Sequence, residues 1–157
     1  MSDEDLEEVS FNIFLSSFWW KTPPKVKISL NNEVIETTSI NELHEKNEQK
    51  VISFTKKLGA GEHSITIELF DKQNNETVLD PNDSSVIIKD QLLQIKDIEI
   101  DEISLGFLAH SKSVFYPNKT RHPHLPDVMT ELTTIGYNGT YEIKFQVPTY
   151  IWFLENL

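Results

Sequence analysis

Between Gly61 and Ile103, apolar and polar positions alternate in two blocks separated by a polar stretch. In the first, His63, Ile65, Ile67 and Leu69 interleave with Ser64, Thr66, Glu68 and Phe70. The second opens at Asp90, with Leu93 and Ile95 on one phase and Ile98 and Ile100 on the other. A period of two is the mark of a half-buried strand. The phase change at Lys96-Asp97 predicts a β-bulge, which inserts one residue and flips the faces that follow. The blocks read as two facing strands of an antiparallel sandwich with an Asp/Asn-rich loop at one end.

The same pattern recurs along the chain. Phe11, Ile13 and Leu15 alternate in an aromatic segment that Thr22-Pro23-Pro24 breaks. Lys25–Leu30 and Glu33–Thr37 flank Asn31-Asn32, a two-residue hairpin turn because Asn tolerates positive φ. Residues 38–49 are polar and predict a loop or one short helical turn. Lys50–Lys57 predicts another strand, then a turn over 58–61. Asp71–Asn75 and Asp80–Ser85 are turn-forming, and Val86–Lys89 is a short strand. A strand around Ile103–Leu108 continues the meander. Residues 111–132 hold three prolines and predict a long loop, a length that is usually functional or in contact with another chain. Tyr137-Asn138-Gly139-Thr140 is a turn signal, and Tyr141, Ile143, Phe145 and Val147 alternate after it. An apolar tail, Tyr150–Leu154, follows Pro148 and is expected to be docked. The short connections favour antiparallel pairing. The expected fold is all-β: an acidic leader over 1–9, then one antiparallel β-sandwich of jelly-roll type over 10–157.

Charge and composition narrow the function. The net charge of −11 repels phosphate backbones and argues against nucleic acid. The absence of cysteine removes disulfides, thiolate metal sites and thiol chemistry. No apolar run approaches the ~20 residues that span a membrane, and the acidic start lacks the pattern of a secretory signal. The absence of cysteine fits synthesis in a reducing cytoplasm, or a secreted protein stabilised by its core alone. The sequons at Asn75, Asn82, Asn118 and Asn138 then read as turn chemistry.

Four groups of residues carry candidate chemistry. Asp71, Asp80, Asp83 and Asp90, with neighbouring asparagines, offer the oxygen ligands calcium prefers, and are equally the ordinary residues of turns. Trp19, Trp20, Tyr116, Tyr137, Tyr141, Tyr150 and Trp152 could stack on sugar rings, fill the core or form an interface. If Trp19-Trp20 lies in a strand, the two rings face opposite sides and one meets a partner or ligand. Arg121-His122-Pro123-His124 has no known metal-ligand spacing and reads as exposed loop histidines. Neither a nucleophile elbow nor a glycine-rich phosphate loop occurs, and no pair of carboxylates marks a glycosidase.

Two resemblances attach to these segments. Gly61-Glu62-His63-Ser64-Ile65-Thr66-Ile67, then the polar loop, then Asp90-Gln91-Leu92-Leu93-Gln94-Ile95 leading to Ile98-Glu99-Ile100 resembles calcium-dependent xylan-binding modules. That resemblance implies a β-sandwich, with calcium at the positions of Asp71 and Asp90. The ending Thr134–Phe145, Val147–Leu157, with Phe115-Tyr116-Pro117, resembles small proteins of tailed bacteriophages. It implies a sandwich carried in a phage particle.

The leading expectation is thus a non-enzymatic virion structural protein in the capsid decoration, tail or neck, made in a host cytoplasm. Other virion proteins would be its partners in a multi-copy assembly. Trp19, Trp20, Tyr116, His122, Tyr150 and Trp152 would be its contacts. The alternative is a carbohydrate-binding module that takes a surface glycan, with calcium as a candidate cofactor at Asp71, Asp80, Asp83 and Asp90.

Overall fold

The computed structural model describes residues 5–156, and most of the acidic leader's first half lies outside them. Two antiparallel sheets face each other. The first takes β1 (Glu7–Phe18) between β4 (Lys50–Leu58) and β8 (Leu92–Ile100), with β9 (Ile103–Ser104) and β12 (Thr134–Ile135) also on β8. The second runs β11 (Met129–Thr130), β10 (Val114–Pro117), β13 (Gly139–Val147), β5 (Gly61–Phe70), β2 (Lys25–Leu30), β3 (Glu33–Ser39). The protein is an all-β sandwich. The two alternating blocks lie in different sheets, β5 in one and β8 in the other.

Alternation decides which side chains enter the core. Phe11, Ile13 and Leu15 of β1, Ile65, Ile67 and Leu69 of β5, and Ile143 and Phe145 of β13 are all buried. Phe11 meets Phe145 edge-on across the sandwich, with ring centroids 5.6 Å apart. The bulge falls where the phase change predicts it. Leu15 pairs with Ile95, but Phe14 pairs with Asp97, so Lys96 is the extra residue. Leu93 and Ile95 before it and Ile98 and Ile100 after it then share one buried face. Asn31 and Asn32 have φ of 49° and 68° in the β2–β3 turn.

Other segments depart from expectation. Glu7–Val9, placed in the leader, already pair with β4. The strand expected over 103–108 stops at Ser104, and Phe107–Lys112 forms a helix, α1. The long loop is partly ordered by β10 and β11, which pair with one another. Asp80–Ser85 does turn, but Val78–Asp80 (β6) and Asp83–Lys89 (β7) close a separate hairpin that joins neither large sheet. The tail is a helix, α2 (Thr149–Asn156). It buries Trp152 and Phe153 and leaves Tyr150 and Leu154 exposed.

Candidate functional site

The site lies at the end of the sandwich where β5 leaves one sheet and β8 enters the other. Asp71 turns the chain with φ of 66°, and Lys72 follows it inward. The buried Asn138 side chain clamps the Lys72 backbone on both sides. Lys72 N–H donates to Asn138 Oδ1 at 2.9 Å, and Asn138 Nδ2 donates to Lys72 O at 3.0 Å. Arg121 Nη2 donates to the same carbonyl at 2.6 Å. With its backbone fixed, Lys72 sends its ammonium to Asp90 Oδ1 at 2.7 Å and to the Gly136 carbonyl at 2.6 Å. The side chains of Lys72 and Asp90 are only 6% and 15% exposed, so water screens this pair little.

Asp90 is held from several directions. Its Oδ1 also accepts from Thr77 Oγ1 at 2.7 Å and from Gln91 N–H at 2.8 Å. Among the described residues no hydrogen bond goes to Oδ2. Next to it, Glu76 is buried with its carboxylate satisfied by Gln73 N–H, Gln91 Nε2 and Thr22 Oγ1. Glu76 O accepts from Trp20 Nε1 at 2.8 Å. A continuous polar network thus supports the turn Asn74–Glu76 and the start of β8. Charge-assisted bonds of this kind are stronger than neutral ones and fix geometry.

Above this floor opens a cavity of about 680 Å³. Ile87, Ile88 and Lys89 of the β6–β7 hairpin form one side, and Leu92, Thr134, Gly136 and Tyr137 another. Lys72, Gln73, Asn74, Thr77, Asp90 and His122 supply polar groups. Ile87 and Ile88 are more than half exposed, which is unusual for adjacent β-branched residues on one hairpin. His122 packs edge-on to Tyr137, with ring centroids 5.3 Å apart, and its Nε2 accepts from Asn138 N–H at 3.2 Å. Burial lowers the His122 pKa below the ordinary imidazole value, helped by the positive charges of Arg121, His124 and Lys72. Both the acceptor role and the lowered pKa favour the neutral ring.

The residues singled out from sequence are distributed around this site rather than gathered in it. Asp90 and His122 line the cavity. Asp71 faces outward, paired with Lys25 Nζ at 3.1 Å. Asp80 and Asp83 sit at the hairpin tip, where Asp80 accepts from Asn82 N–H and Asp83 from Ser85 N–H and Oγ. These are ordinary Asx-turn bonds, and those from Ser85 lower the Asp83 pKa. Trp19 and Trp20 lie beyond the end of β1, so the strand rule that would point them to opposite faces does not apply. Trp19 Nε1 donates to Asn41 O. Trp20 lies 4.8 Å under Lys89 Nζ at the base of the hairpin. Tyr116 and Tyr150 are exposed elsewhere, and Trp152 is buried in the core.

The set implied for calcium does not assemble. Among the described residues no three His, Asp or Glu side chains converge. Calcium takes six to eight oxygens, whereas Asp71 and Asp90 are separately engaged by Lys25 and Lys72. The Lys72 ammonium beside Asp90 already neutralises that carboxylate and repels a dication approaching it.

Lys72 and Glu76 carry no signal in the sequence, and Gln91, Gly136 and Asn138 enter it only within motifs and turns, not as site residues. Lys72 is one lysine in a polar run, and nothing local marks it as buried. Asn138 was legible only as a turn former.

No family model and no curated protein matches the chain in sequence. Two solved structures match its fold. One is vCBM60 in complex with galactobiose, at 9% identity and a TM-score of 0.51, covering 85% of this chain and 96% of that one. The other is a selenomethionine form of vCBM60, at 10% identity and the same TM-score, covering 86% and 89%. That protein is described as linking two families of calcium-dependent carbohydrate binding modules by circular permutation. The chain has the fold of a carbohydrate-binding module. The expectation of a tailed-phage virion component is corrected accordingly: the structures it matches are carbohydrate-binding modules, and they favour the alternative.

Proposed function

We propose that the protein binds carbohydrate, non-catalytically, in the cavity between the β6–β7 hairpin and the Gly136–Tyr137 segment. The cavity itself carries this reading. It is the size of ordinary small-ligand sites, roughly 300–1,000 Å³, and it pairs apolar walls with a donor and an acceptor at its floor. Sugar rings present C–H faces and hydroxyl edges. The Tyr137 ring, 38% exposed, can stack on the first. Lys72 Nζ has three donors, two of them used. The third, with Asp90 Oδ2, can serve adjacent hydroxyls as donor and acceptor.

Binding without hydrolysis is favoured by the lining. Glycoside hydrolysis uses two carboxylates, and Asp90 is the one carboxylate among the cavity residues. Its Oδ1 is already saturated by three donors.

The test is calorimetric titration with galactobiose and with soluble xylan. Binding of either is expected. Tyr137→Ala should weaken it about tenfold, equivalent to roughly 1.4 kcal/mol, with the fold retained. Failure of both probes to bind, or unchanged affinity in the Tyr137→Ala protein, would overturn the proposal.

A further inference from the structure

We infer that the Lys72 ammonium is the resident cation of the cavity, so that this site is organised without a divalent metal. Three observations converge on Nζ. It draws together a carboxylate, Asp90 Oδ1, and a main-chain carbonyl, Gly136 O, at 2.7 and 2.6 Å. Those are the two kinds of oxygen that calcium sites recruit. The lysine is anchored for the task, because its own N–H and carbonyl are both held by Asn138 and its carbonyl also by Arg121. Lastly, the group bridges segments distant in sequence, tying the end of β5 to the start of β8 and to the strand-free stretch at Gly136.

Space at the bridge is limited. A side chain at Gly136 would put its Cβ 3.0 Å from Leu92 Cδ2 and 4.0 Å from Lys72 Nζ. The ammonium, bonded to both oxygens, occupies the position from which a metal would bridge them. A tethered cation cannot be removed by chelation, and its positive charge opposes entry of a second one. The inference about metal independence stands on the protein alone. Its extension to ligand binding, which gives the third N–H of Lys72 to a sugar hydroxyl, rests on the carbohydrate reading above.

The experiment compares thermal melts of the unmodified protein in millimolar calcium chloride and in EDTA. Superimposable melts are expected, because a ligand that binds only the folded state would raise the melting temperature by mass action. A calcium-dependent rise overturns the inference. The second arm needs Lys72→Met and the double variant Lys72→Met/Asp90→Asn. Loss of the cation alone leaves a largely buried carboxylate without its counter-charge and should shift the unfolding equilibrium on the order of a hundredfold toward the unfolded state. Neutralising Asp90 as well should restore much of that loss. A Lys72→Met protein as stable as the unmodified one, or a double variant no better than the single, overturns it. If neither galactobiose nor xylan binds while the melts behave as expected, the carbohydrate reading falls and the resident cation stands. If a sugar binds and EDTA abolishes that binding, the cation inference falls and the carbohydrate reading stands.

Discussion

At the scale of single residues, His122 has the sharpest consequence. Its Nε2 accepts the Asn138 N–H, and a proton on that nitrogen would remove the acceptor. Burial, with Arg121, His124 and Lys72 nearby, lowers its pKa in the folded protein. The sign of the pH effect follows. Well above about pH 6.5, the ordinary imidazole value, folded and unfolded chains both carry the neutral ring and His122 adds no pH dependence. Below it the unfolded chain takes up the proton first, so stability falls with pH until the folded ring also protonates. A proton-NMR titration should find His122 half-protonated below the ordinary value, and His122→Gln should flatten this part of the melting-temperature profile. A normal titration midpoint would remove the argument.

At the scale of elements, packing constrains the C-terminal helix and the first residue of β13. One face of α2 places the adjacent Trp152 and Phe153 in the core, with Trp152 edge-on to Phe145 at 6.4 Å. Trp152→Ala should cost about 3–5 kcal/mol, the usual range for a buried aromatic, as read by urea denaturation. An effect below about 1 kcal/mol would mean that the helix is only loosely docked. Gly139 is constrained by proximity. A Cβ there would lie 2.5 Å from the Tyr116 carbonyl and 2.9 Å from Pro117 Cα, both backbone atoms that cannot swing away. Gly139 opposes Pro117 at the β10–β13 pairing. Gly139→Ala should therefore destabilise the same edge of the sheet by roughly 1–3 kcal/mol, as overpacking does. Its hydrogen-exchange protection should fall in β10 before it falls in β5.

At the scale of the whole molecule, the sandwich and the hairpin wall of the cavity are separable. The sandwich is held by the buried faces of its two sheets, whereas β6 and β7 pair only with each other. Every residue of β7 is exposed. Replacing both Ile87 and Ile88 with Ser should leave the melting temperature nearly unchanged, as exposed substitutions usually do, within about 0.5 kcal/mol. The same change removes an apolar wall of the cavity and should weaken galactobiose or xylan binding. A large loss of stability would show that the hairpin is part of the core after all.

Much of the sandwich was legible in the sequence because its signals are local. Period-two alternation needs only neighbouring residues, and the Lys96-Asp97 phase change and the Asn31-Asn32 turn each report a backbone conformation set within a few positions. The β6–β7 hairpin and α2 were less legible. The hairpin is short and lacks a buried face, and the helix buries too few residues to declare a period. The site was legible only in pieces. Asp90, His122 and Tyr137 were named from the sequence for separate reasons, and nothing local connects them to Lys72, Gly136 or Asn138. Asn138 reaches Lys72 across 66 positions, and Lys72 reaches Gly136 across 64. The sequence by itself determined the long strands, their faces and the all-β class, since hydrophobic burial acts on each strand's own pattern. Only the tertiary structure decided which charges are buried together, because a buried ion pair depends on partners that the chain brings close only when both sheets have closed.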